Sequence, residues 1–585
     1  MGHRGWTTSD TVEGVRALAL AVLIVSGCGD GMTEPTGPQP TPTPQPTPTP
    51  TPTPKPDLAG PLFDPAHVVQ VTIDLAPADW DALRAQTRVL EDILVGAQCL
   101  ADPFGDPFTY FPATVTIDGQ RFERAGLRKK GFLGSLSSTK PSLKIKLDEL
   151  VPHAEHLGLE TITLNNSQQD PSLVRTCLAY KVHNDAGVPA PRCNYAEVTV
   201  NGASLGVYVD VESVKKPFLR QHFANEDGTL WEGTLSDFRA GWMGTFEKKG
   251  SDVAPADAFA RLERVTTAIE TASEADLIPT LDAVIDVDRF IDFWAVESII
   301  GHWDGYPGNA NNFFVYDDPT SKKLVMLPWG PDAAFSPVMN PASVLAHSAL
   351  THRLYNHPEG KRRYLAKARE ILDGPFDEAA LKAEIDRVQL LLGPKLAGNT
   401  EFGPALDGVR AFIDGRRAMA DLELAMGGVT VDPLRAQICL VPMGELETTF
   451  STTFGTHPTA NSFLTGTGTF RSTGMGALTG GMTGSASGFG QSMDDAGQAV
   501  TLVVSAVGPG DYAVVYLVMS PDRFVPGTTG IDAGAVRGAL LRYRPGAIQP
   551  EVIGYFFLGQ VDLASAAMTG GAPVVGSVHT RLFTP

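Results

Sequence analysis

A group of cations and hydroxyl side chains lies between residues 128 and 146. Arg128 begins a basic stretch that continues through hydroxyl residues to Lys140, Lys144 and Lys146. If residues 142–147 form a strand, Lys144 and Lys146 point to one face, because side chains alternate along a strand. A lysine on a strand is how kinases hold nucleotide phosphates, but a solvated basic face has the same alternation. The stretch therefore indicates phosphate binding only in combination with other groups.

A second candidate group is the carboxylate of Glu212. The Asn201-Gly202 pair is a strong hairpin-turn signal, and Glu212 follows the outgoing strand 206–211. From that position the carboxylate could orient a phosphate-binding lysine. An exposed strand end is the alternative interpretation.

The carboxylate and amide candidates lie further along the chain. Asp304 follows an apolar helical segment, and Asn312 follows it within one loop. This order is typical of a kinase catalytic loop, although Asx-rich turns also occur for structural reasons. Asp332 comes after the apolar run 324–327, where kinases place a magnesium ligand. Because Mg²⁺ prefers hard oxygen ligands and keeps several waters, Asp332, Asn312 and ATP phosphates would suffice to bind it.

The elements that must position these groups divide into a strand-rich first half and a helix-rich second half. Alternating apolar residues predict strands at 68–75, 113–117, 122–127, 142–147, 162–164, 196–200 and 206–211. A short helix is predicted at 77–87 and another at about 172–185. A helical period then predicts segments at 258–272, 277–284, 288–301 and within 343–426, interrupted by strands at 313–316 and 324–327. This order predicts an α+β fold organised as a bilobal enzyme.

The composition changes beyond about residue 432 to Gly, Thr, Ser and Ala with short β-prone runs. The runs 501–506, 512–518, 540–543 and 554–561 predict an all-β, sandwich-like domain. No paired carboxylates, metal cluster or nucleophile motif is evident in this part of the sequence. We therefore interpret residues 431–585 as an accessory or adhesion domain.

The first residues are typical of an export signal, since Arg4 and Arg16 precede the apolar run 17–25 and small residues follow at once. The signal peptide, 1–28, ends in a Val-Ser-Gly-Cys sequence that resembles the bacterial lipobox and predicts lipidation of Cys28. A diacylglycerol supplies the two chains that stable anchoring requires. Alternating prolines predict an extended Pro/Thr-rich stalk at 29–60. We expect a lipid-anchored protein of the cell envelope, in the outer membrane or at the cell surface, that contacts the membrane only through its anchor.

The acidic balance of the chain restricts its partners. A formal net charge of −20 argues against a nucleic-acid ligand, because phosphate contacts require clustered Lys and Arg. The expected partner is a protein rather than a nucleic acid.

Four cysteines remain if Cys28 is lipidated, and an exported compartment permits disulfides. No CxxC or His/Cys spacing suggests zinc. Cys177 and Cys193 are the predicted pair, because Gly187, Pro189 and Pro191 lie between them and could fold the chain back.

Taken together, these stretches resemble the kinases of the spore coat protein H (CotH) family over most of residues 65–420. The segments that carry the resemblance are Arg128 to Lys146, Leu164-Asn165-Asn166 through Asp170 and Arg175, Asn201-Gly202 to Glu212, Trp303-Asp304-Gly305 to Asn312, and Pro328-Trp329 to Asp332. The resemblance implies that residues 61–430 form an atypical protein kinase fold. It also implies binding of ATP and Mg²⁺ and phosphorylation of Ser or Thr in secreted or surface proteins.

The resemblance further implies a role for each candidate residue. Asp304 would be the catalytic aspartate, while Asn312 and Asp332 would bind magnesium. Either Lys140 or Lys144 would be the phosphate-binding lysine. Glu212 would be the partner of that lysine, and Arg128 would support the phosphates.

One departure from the family pattern leaves a second function open. Many members have Pro-Trp-Asp-x-Asp where this chain has Gly330 in place of the first Asp. If the missing carboxylate is the essential metal ligand, the chain is a pseudokinase, a non-catalytic surface or adhesion lipoprotein. Activity is the favoured interpretation, because Asp304, Asn312 and Asp332 leave a base and a metal pair in place. A carbohydrate-active enzyme is less well supported, since the sequence singles out no convergent pair of carboxylates.

Overall fold

A computed structural model describes residues 57–88, 91–250, 254–336, 341–431, 434–455, 466–473, 482–489, 499–507, 512–531, 536–543 and 551–584. All of these belong to one compact unit. The predicted signal peptide with Cys28, and the predicted stalk up to residue 56, lie outside the described residues. Within the described ranges, no helix combines the length and the apolar character needed to cross a membrane.

The first part of the fold is a closed barrel of seven strands. Its elements are β1 (Val68–Asp74), α1 (Pro77–Ala85), α2 (Glu91–Leu94), β2 (Phe111–Ile117), β3 (Gln120–Lys130), β4 (Ser142–Lys146), β5 (Thr161–Asn165), α3 (Arg175–Asp185), β6 (Cys193–Val200) and β7 (Ala203–Val211). The strand order is β1-β2-β3-β4-β5-β7-β6, and β6 closes the ring by pairing in parallel with β1. Alternate apolar side chains, such as Val71, Leu127 and Leu143, form its core.

The tight turns of this barrel follow from local sequence. Asp118-Gly119 joins β2 to β3, and Asn201-Gly202 joins β6 to β7. All four residues have positive φ, which a type I′ hairpin turn requires at both central positions. Asn and Asp tolerate this conformation better than other side chains, so both hairpins form where the sequence predicts them.

The second part combines a small antiparallel sheet with helices. Its elements are α4 (Lys216–His222), β8 (Thr229–Gly233), β9 (Glu247–Lys248), α5 (Pro255–Thr271), α6 (Leu277–Asp282), α7 (Val287–Ile299), α8 (Tyr306–Asn309), β10 (Phe313–Asp317), β11 (Leu324–Pro328), α9 (Ala349–Tyr355), α10 (Pro358–Asp373), α11 (Glu378–Leu392) and α12 (Phe402–Ala425). The sheet order is β11-β10-β8-β9. Helix α7 is buried along nearly its whole length, and Phe290, Phe293 and Trp294 anchor it in the core. Its C-terminal end therefore holds the loop that follows in a fixed place.

The C-terminal part is a ring of antiparallel strands. Its elements are β12 (Val441–Thr453), β13 (Thr467–Thr473), β14 (Met482–Phe489), β15 (Ala499–Val507), β16 (Tyr512–Met519), β17 (Gly527–Ile531), β18 (Val536–Tyr543), β19 (Glu551–Ser565) and β20 (Pro573–Thr584). The order is β17-β19-β18-β16-β15-β14-β13-β12-β20, and the additional pairing of β19 with β20 closes the sheet. The predicted sandwich is therefore wrong, because one sheet closes on itself instead of two sheets packing face to face. Alternation along a strand specifies its buried face but not its neighbours, and it is the same in sandwiches and barrels.

The chain thus has the mixed α and β fold that the sequence predicts, with a sheet-rich C-terminal region. The strand-rich half precedes the helix-rich half in the predicted order. The candidate residues lie on β3, on β4 and in the connection between them, and directly after β7, α7 and β11. All of these positions belong to the first two parts.

Candidate functional site

The loop after α7 holds the Asp304 carboxylate with side-chain amides. Asn309 Nδ2 donates a hydrogen bond to Asp304 Oδ1, and Asn311 Nδ2 donates to the same oxygen at 3.3 Å. Asn312 Nδ2 donates to Asp304 Oδ2 at 2.9 Å. These donors fix both carboxylate oxygens before any substrate binds.

The same loop has an unusual backbone conformation. Ala310 and Asn312 both have a φ of 52°, in the left-handed region that costs most L-residues roughly 1–2 kcal/mol. The segment at residues 235–236 stabilises this conformation, because Ser236 N donates to Ala310 O at 2.7 Å. Left-handed non-glycine residues persist only where their surroundings impose them, and they are concentrated at functional sites.

Asp332 lies on the turn after β11 and faces Asp304. Burial, together with the nearby Asp304 carboxylate, raises the pKa of Asp332 to about 6. The Asn312 side chain also reaches this turn, since a Cβ on Gly330 would lie 3.1 Å from Asn312 Oδ1. The structure therefore brings Asp304, Asn312 and Asp332 together in one place.

Lys130, at the end of β3, is the lysine that interacts with these acidic groups. Its Nζ donates a hydrogen bond to Asn165 Oδ1 and lies 5.8 Å from the centre of the Trp329 ring. Burial lowers the pKa of Lys130 to about 8, and the carboxylates of Glu232 and Asp332 oppose that shift. Lys130 belongs to the basic stretch of the sequence, but the prediction assigned the phosphate-binding role to Lys140 or Lys144.

Those two lysines have different environments. Lys140 Nζ donates to the Val207 main-chain oxygen at 2.7 Å and lies 4.9 Å from the centre of the Tyr208 ring. Both contacts are with strand β7, so Lys140 stabilises the barrel. Lys144 lies opposite Arg128 in the register of β3 and β4. Burial, followed by the charges of Arg128 and Lys215, lowers the pKa of Lys144 to about 8. Lys144 therefore belongs to a crowded group of cations, whereas Lys140 is already used in structural contacts.

Arg128 forms an ion pair with Asp106 and stacks at 5.3 Å over the Tyr110 ring. It lies near enough to Lys130 and Lys144 for its charge to lower the pKa of both amines. These three cations line the end of β3 and β4 nearest the acidic groups.

The role predicted for Glu212 is not the one that the structure shows. Its buried carboxylate receives hydrogen bonds from the Arg192 guanidinium at 2.7 and 3.0 Å instead of pairing with a lysine. The carboxylate among the lysines is Glu232 on β8, which forms an ion pair with Lys249 at 2.7 Å and acts on Lys130 and Lys144. The β-prone run 229–233 was the sequence signal that could have identified a strand carrying Glu232. The position of that strand in the fold depends on its pairing with β10, which the sequence does not show.

A buried histidine and carboxylate group lies behind Asp304, and the sequence interpretation missed it. His302 Nδ1 lies 2.6 Å from Glu297 Oε2, and His183 Nε2 lies 3.2 Å from Glu297 Oε1. All three side chains are fully buried, and His302 Nε2 has no hydrogen-bond partner among the described residues. The charges of Asp304 and Asp332 act on His302, which places the imidazole beside the site. The nearness of His302 to Asp304 in sequence could have marked His302 as a residue of the site. Its partners could not be identified in this way, because Glu297 lies on α7 and His183 lies on α3.

Two disulfides are present in the described part of the chain. Cys177 and Cys193 join α3 to β6 with a Cα–Cα distance of 5.2 Å, which is the pair that the sequence predicts. Cys99 and Cys439 form a second bond across 340 residues, with a Cα–Cα distance of 5.4 Å. No spacing rule identifies the second pair, because its cysteines are distant in sequence.

The oxygen ligands of the site fit the magnesium ion that the resemblance implies. The described residues contain no group of three or more His, Cys, Asp or Glu side chains that could hold a metal on their own. Mg²⁺ is usually bound by one or two carboxylates together with substrate phosphates and waters. Asp332 and the Asn312 Oδ1 atom fit that requirement. Burial, followed by the nearby Asp304 carboxylate, raises the pKa of Asp332, and a bound cation would favour its ionised form.

These features define a mixed α and β protein with acidic loop residues facing buried lysines. The model of a family described as CotH kinase protein matches residues 127–421, about half of the chain. The chain belongs to the CotH family, which confirms the resemblance found in the sequence.

Two curated proteins of Bacillus subtilis (strain 168) are similar to this chain. Inner spore coat protein H is 23% identical over 237 residues, which cover 37% of this chain and 64% of the relative. Inner spore coat protein H-like protein is 35% identical over 103 residues, which cover 16% of this chain and 34% of the relative. The matched part of the chain thus spans less than two thirds of either relative.

Proposed function

We propose that this chain is an exported CotH-like protein kinase that transfers phosphate from Mg-ATP to Ser or Thr residues of secreted or surface proteins. The observation that carries the proposal is the convergence of Asp304, Asn312 and Asp332 with the cation Lys130. Phosphoryl transfer requires little covalent chemistry from the protein and depends on positioning and charge. Carboxylates held in fixed positions opposite buried cations supply the positioning and the charge.

In this proposal the first barrel and the helical part act as the two lobes of an atypical kinase. Strands β3 and β4 present Arg128, Lys130 and Lys144 to the nucleotide phosphates. Burial and crowding lower the pKa of Lys144, and a polyphosphate bound between these cations would relieve their mutual repulsion. The crowded cations therefore support an anionic ligand at this position.

The acidic side of the site would act on the acceptor. Asp304 would orient the Ser or Thr hydroxyl and accept its proton as the new oxygen–phosphorus bond forms and the bond to ADP breaks. The amides of Asn309 and Asn312 hold the carboxylate in position for this role. Asp332 and Asn312 would hold Mg²⁺, which neutralises phosphate charge when it is bound.

The alternative function is a non-catalytic surface lipoprotein, and the turn at Gly330 favours it. Gly330 has a φ of 55°, and a Cβ at this position would come within 3.1 Å of Asn312 Oδ1. Gly330 brings no carboxylate to this turn, so the site lacks one of the two aspartates that many family members carry there.

Calorimetric titration with ATP, with and without Mg²⁺, distinguishes the two functions. We expect Asp332→Ala to weaken Mg-dependent ATP binding by roughly tenfold or more, because a metal ligand acts in the ground state and in the transition state. Asp304→Ala should abolish phosphate transfer in a radiolabel assay while retaining most of the nucleotide affinity. Asp407→Ala, at an exposed carboxylate on α12, is the matched control.

Wild-type protein that binds no nucleotide would contradict the kinase proposal and support the surface protein. Equal loss of binding in both variants would leave the kinase proposal standing but refute the division of roles between Asp304 and Asp332.

A further inference from the structure

The segment Leu434–Leu440 precedes the C-terminal ring and lies outside the residues matched by the family model. We call it the strap. Leu440 N donates to Leu94 O at 2.6 Å, and Gly96 N donates to Leu440 O at 3.0 Å. The end of the strap is therefore joined to the segment that follows α2.

The Cys99–Cys439 disulfide makes this junction covalent. Cys439 is buried in an apolar cluster with Leu235, Trp242 and Ala310. Ala310 is one of the left-handed residues of the loop that holds Asp304. The disulfide thus lies in the same packed cluster as the candidate catalytic loop.

Arg435 connects the strap to that loop at two points. Its guanidinium Nη1 donates to the main-chain oxygen of Asn309 at 3.1 Å. Its main-chain N donates to His347 O at 3.0 Å, and His347 N in turn donates to Pro307 O at 2.8 Å. Since the Asn309 side chain donates to Asp304, Arg435 is one residue removed from the candidate catalytic carboxylate.

The charge of Arg435 also acts on the site. The guanidinium lies 6.0 Å from the centre of the Trp242 ring and is half-buried. Burial lowers its pKa, and the Asp304 carboxylate raises it. Among the described carboxylates, none forms an ion pair with Arg435, so Asp304 supplies the opposing charge without a direct contact.

We propose that Arg435 is a positioning residue for Asp304 and that the Cys99–Cys439 disulfide keeps it in place. The role of Asp304 in this inference rests on the proposed function, whereas the contacts of the strap do not. Release of the strap removes the donor that holds the Asn309 main chain, and Asn309 in turn holds the carboxylate. Because disulfides persist in oxidising compartments, the loop would be fully ordered only after the chain leaves a reducing cytoplasm.

Backbone hydrogen exchange across residues 303–312, measured by mass spectrometry in the absence of nucleotide, tests the strap directly. We expect Arg435→Ala to accelerate exchange in this segment by roughly tenfold, because a hydrogen bond from a charged donor is lost. Arg435→Lys, which keeps a cation, should recover part of the protection. A Cys99→Ser and Cys439→Ser double variant should show the same acceleration as Arg435→Ala.

Gln437→Ala is the matched control, since among the described residues Gln437 Oε1 accepts hydrogen bonds from Ile438 N and Cys439 N alone, both within the strap. It should leave exchange in residues 303–312 unchanged. Adding Arg435→Ala to the double-serine variant should cause little further acceleration, because both changes act through one strap. Unchanged exchange in folded Arg435→Ala, or full additivity with the double-serine variant, would overturn the inference.

If the double-serine variant does not fold, Arg435→Ala still decides the outcome, because it leaves both cysteines intact. In kinase assays, Arg435→Ala should lower the rate of phosphate transfer while changing Mg-ATP affinity by less than about threefold, since it acts through the residue that orients the acceptor. Wild-type protein without nucleotide binding would refute the proposed function, whereas the exchange result would still decide whether the strap positions the loop.

Discussion

His302 Nδ1 lies 2.6 Å from the Glu297 carboxylate, and both side chains are fully buried directly behind Asp304. Burial disfavours the charged form of each group. Their mutual attraction outweighs the effect of burial. The pKa of His302 is therefore raised and the pKa of Glu297 is lowered. A charged pair in this position links the end of α7 to the candidate catalytic loop.

The first prediction concerns the pH dependence of this pair. The raised pKa of His302 means that its stabilising effect is complete below about pH 6.5 and is lost as the pH rises through the folded pKa. The lowered pKa of Glu297 means that its effect is present above about pH 4.5 and is lost as the pH falls through the folded pKa. We expect Glu297→Gln to cost roughly 3 kcal/mol of unfolding free energy, with the largest difference from wild type between pH 4.5 and 6.5.

Urea denaturation at pH 5.5 and pH 8.5 measures this difference. The exposed-carboxylate variant Asp407→Asn should show a small change that does not depend on pH in this range. A difference between wild type and Glu297→Gln that grows from pH 5.5 to pH 8.5 would show that His302 is not charged in the folded protein.

The second prediction concerns Gly305, which lies against the same pair. A Cβ at this position would overlap Glu297 Oε2 and lie 2.7 Å from His302 Nδ1. We expect Gly305→Ala to destabilise the fold by about 1–3 kcal/mol, because neither buried group can move away freely. Gly415→Ala is the control: this α12 position has open space around the added Cβ, so the change should stabilise the helix by about 0.5–1 kcal/mol. Thermal denaturation of the two variants would contradict the packing argument if both changed stability in the same direction.

The third prediction separates the three lysines of the basic stretch. Lys130→Met and Lys144→Met should each weaken Mg-ATP binding by roughly tenfold or more, because each removes a charged donor from the crowded cations. Lys140→Met should change the affinity by less than about twofold but lower thermal stability, since Lys140 Nζ bonds to Val207 O. Calorimetry and melting curves together measure both effects. A selective loss of affinity in Lys140→Met would restore the assignment made from the sequence.

The fourth prediction concerns the disulfide between Cys177 and Cys193, which closes a loop of sequence separation 16. Replacing both cysteines with serine should cost roughly 3 kcal/mol, because the bond restricts the unfolded chain. Denaturation with and without reductant provides the measurement. Recovery of both thiols free in peptide maps of the unreduced protein would contradict the pairing.

The fifth prediction concerns attachment to the membrane, which we propose to depend on Cys28. Cys28→Ser should move the protein from the membrane fraction to the soluble fraction, because lipidation at this residue is the proposed anchor. Cell fractionation and immunoblotting measure the shift, and Cys99→Ser serves as the matched cysteine control. Membrane association that persists in Cys28→Ser would refute the lipid anchor.

Local sequence was sufficient to place most of the elements around the site. The strands that carry Arg128 and Lys144 have alternating apolar side chains, and the predicted bounds differ from β3 and β4 by a few residues. The Asp304 loop and the Asp332 turn were also recognisable, because an acidic residue after an apolar helix or strand is a local pattern. The family relationship depends on these same segments.

The choice among the lysines could not be made from the sequence. Alternation places Lys144 on one face of β4, but it does not tell which lysine approaches Asp332. Lys130, the last residue of β3, does so, and the carboxylate of Glu232 on β8 acts on the same amine. Strand β8 is held by its pairing with β10. Long-range pairing of this kind leaves no signal in the local period.

What the sequence by itself determined was the type and order of most elements, the family, and the candidate loop positions Asp304, Asn312 and Asp332. Only the tertiary structure decided that the C-terminal strands close into a ring, that Glu212 pairs with Arg192, and that Glu297 is buried against His183. The strap is the clearest case, because Cys99 and Cys439 are separated by 340 residues. Periodicity reports the environment along one segment, whereas these contacts depend on where distant segments meet after the chain has folded.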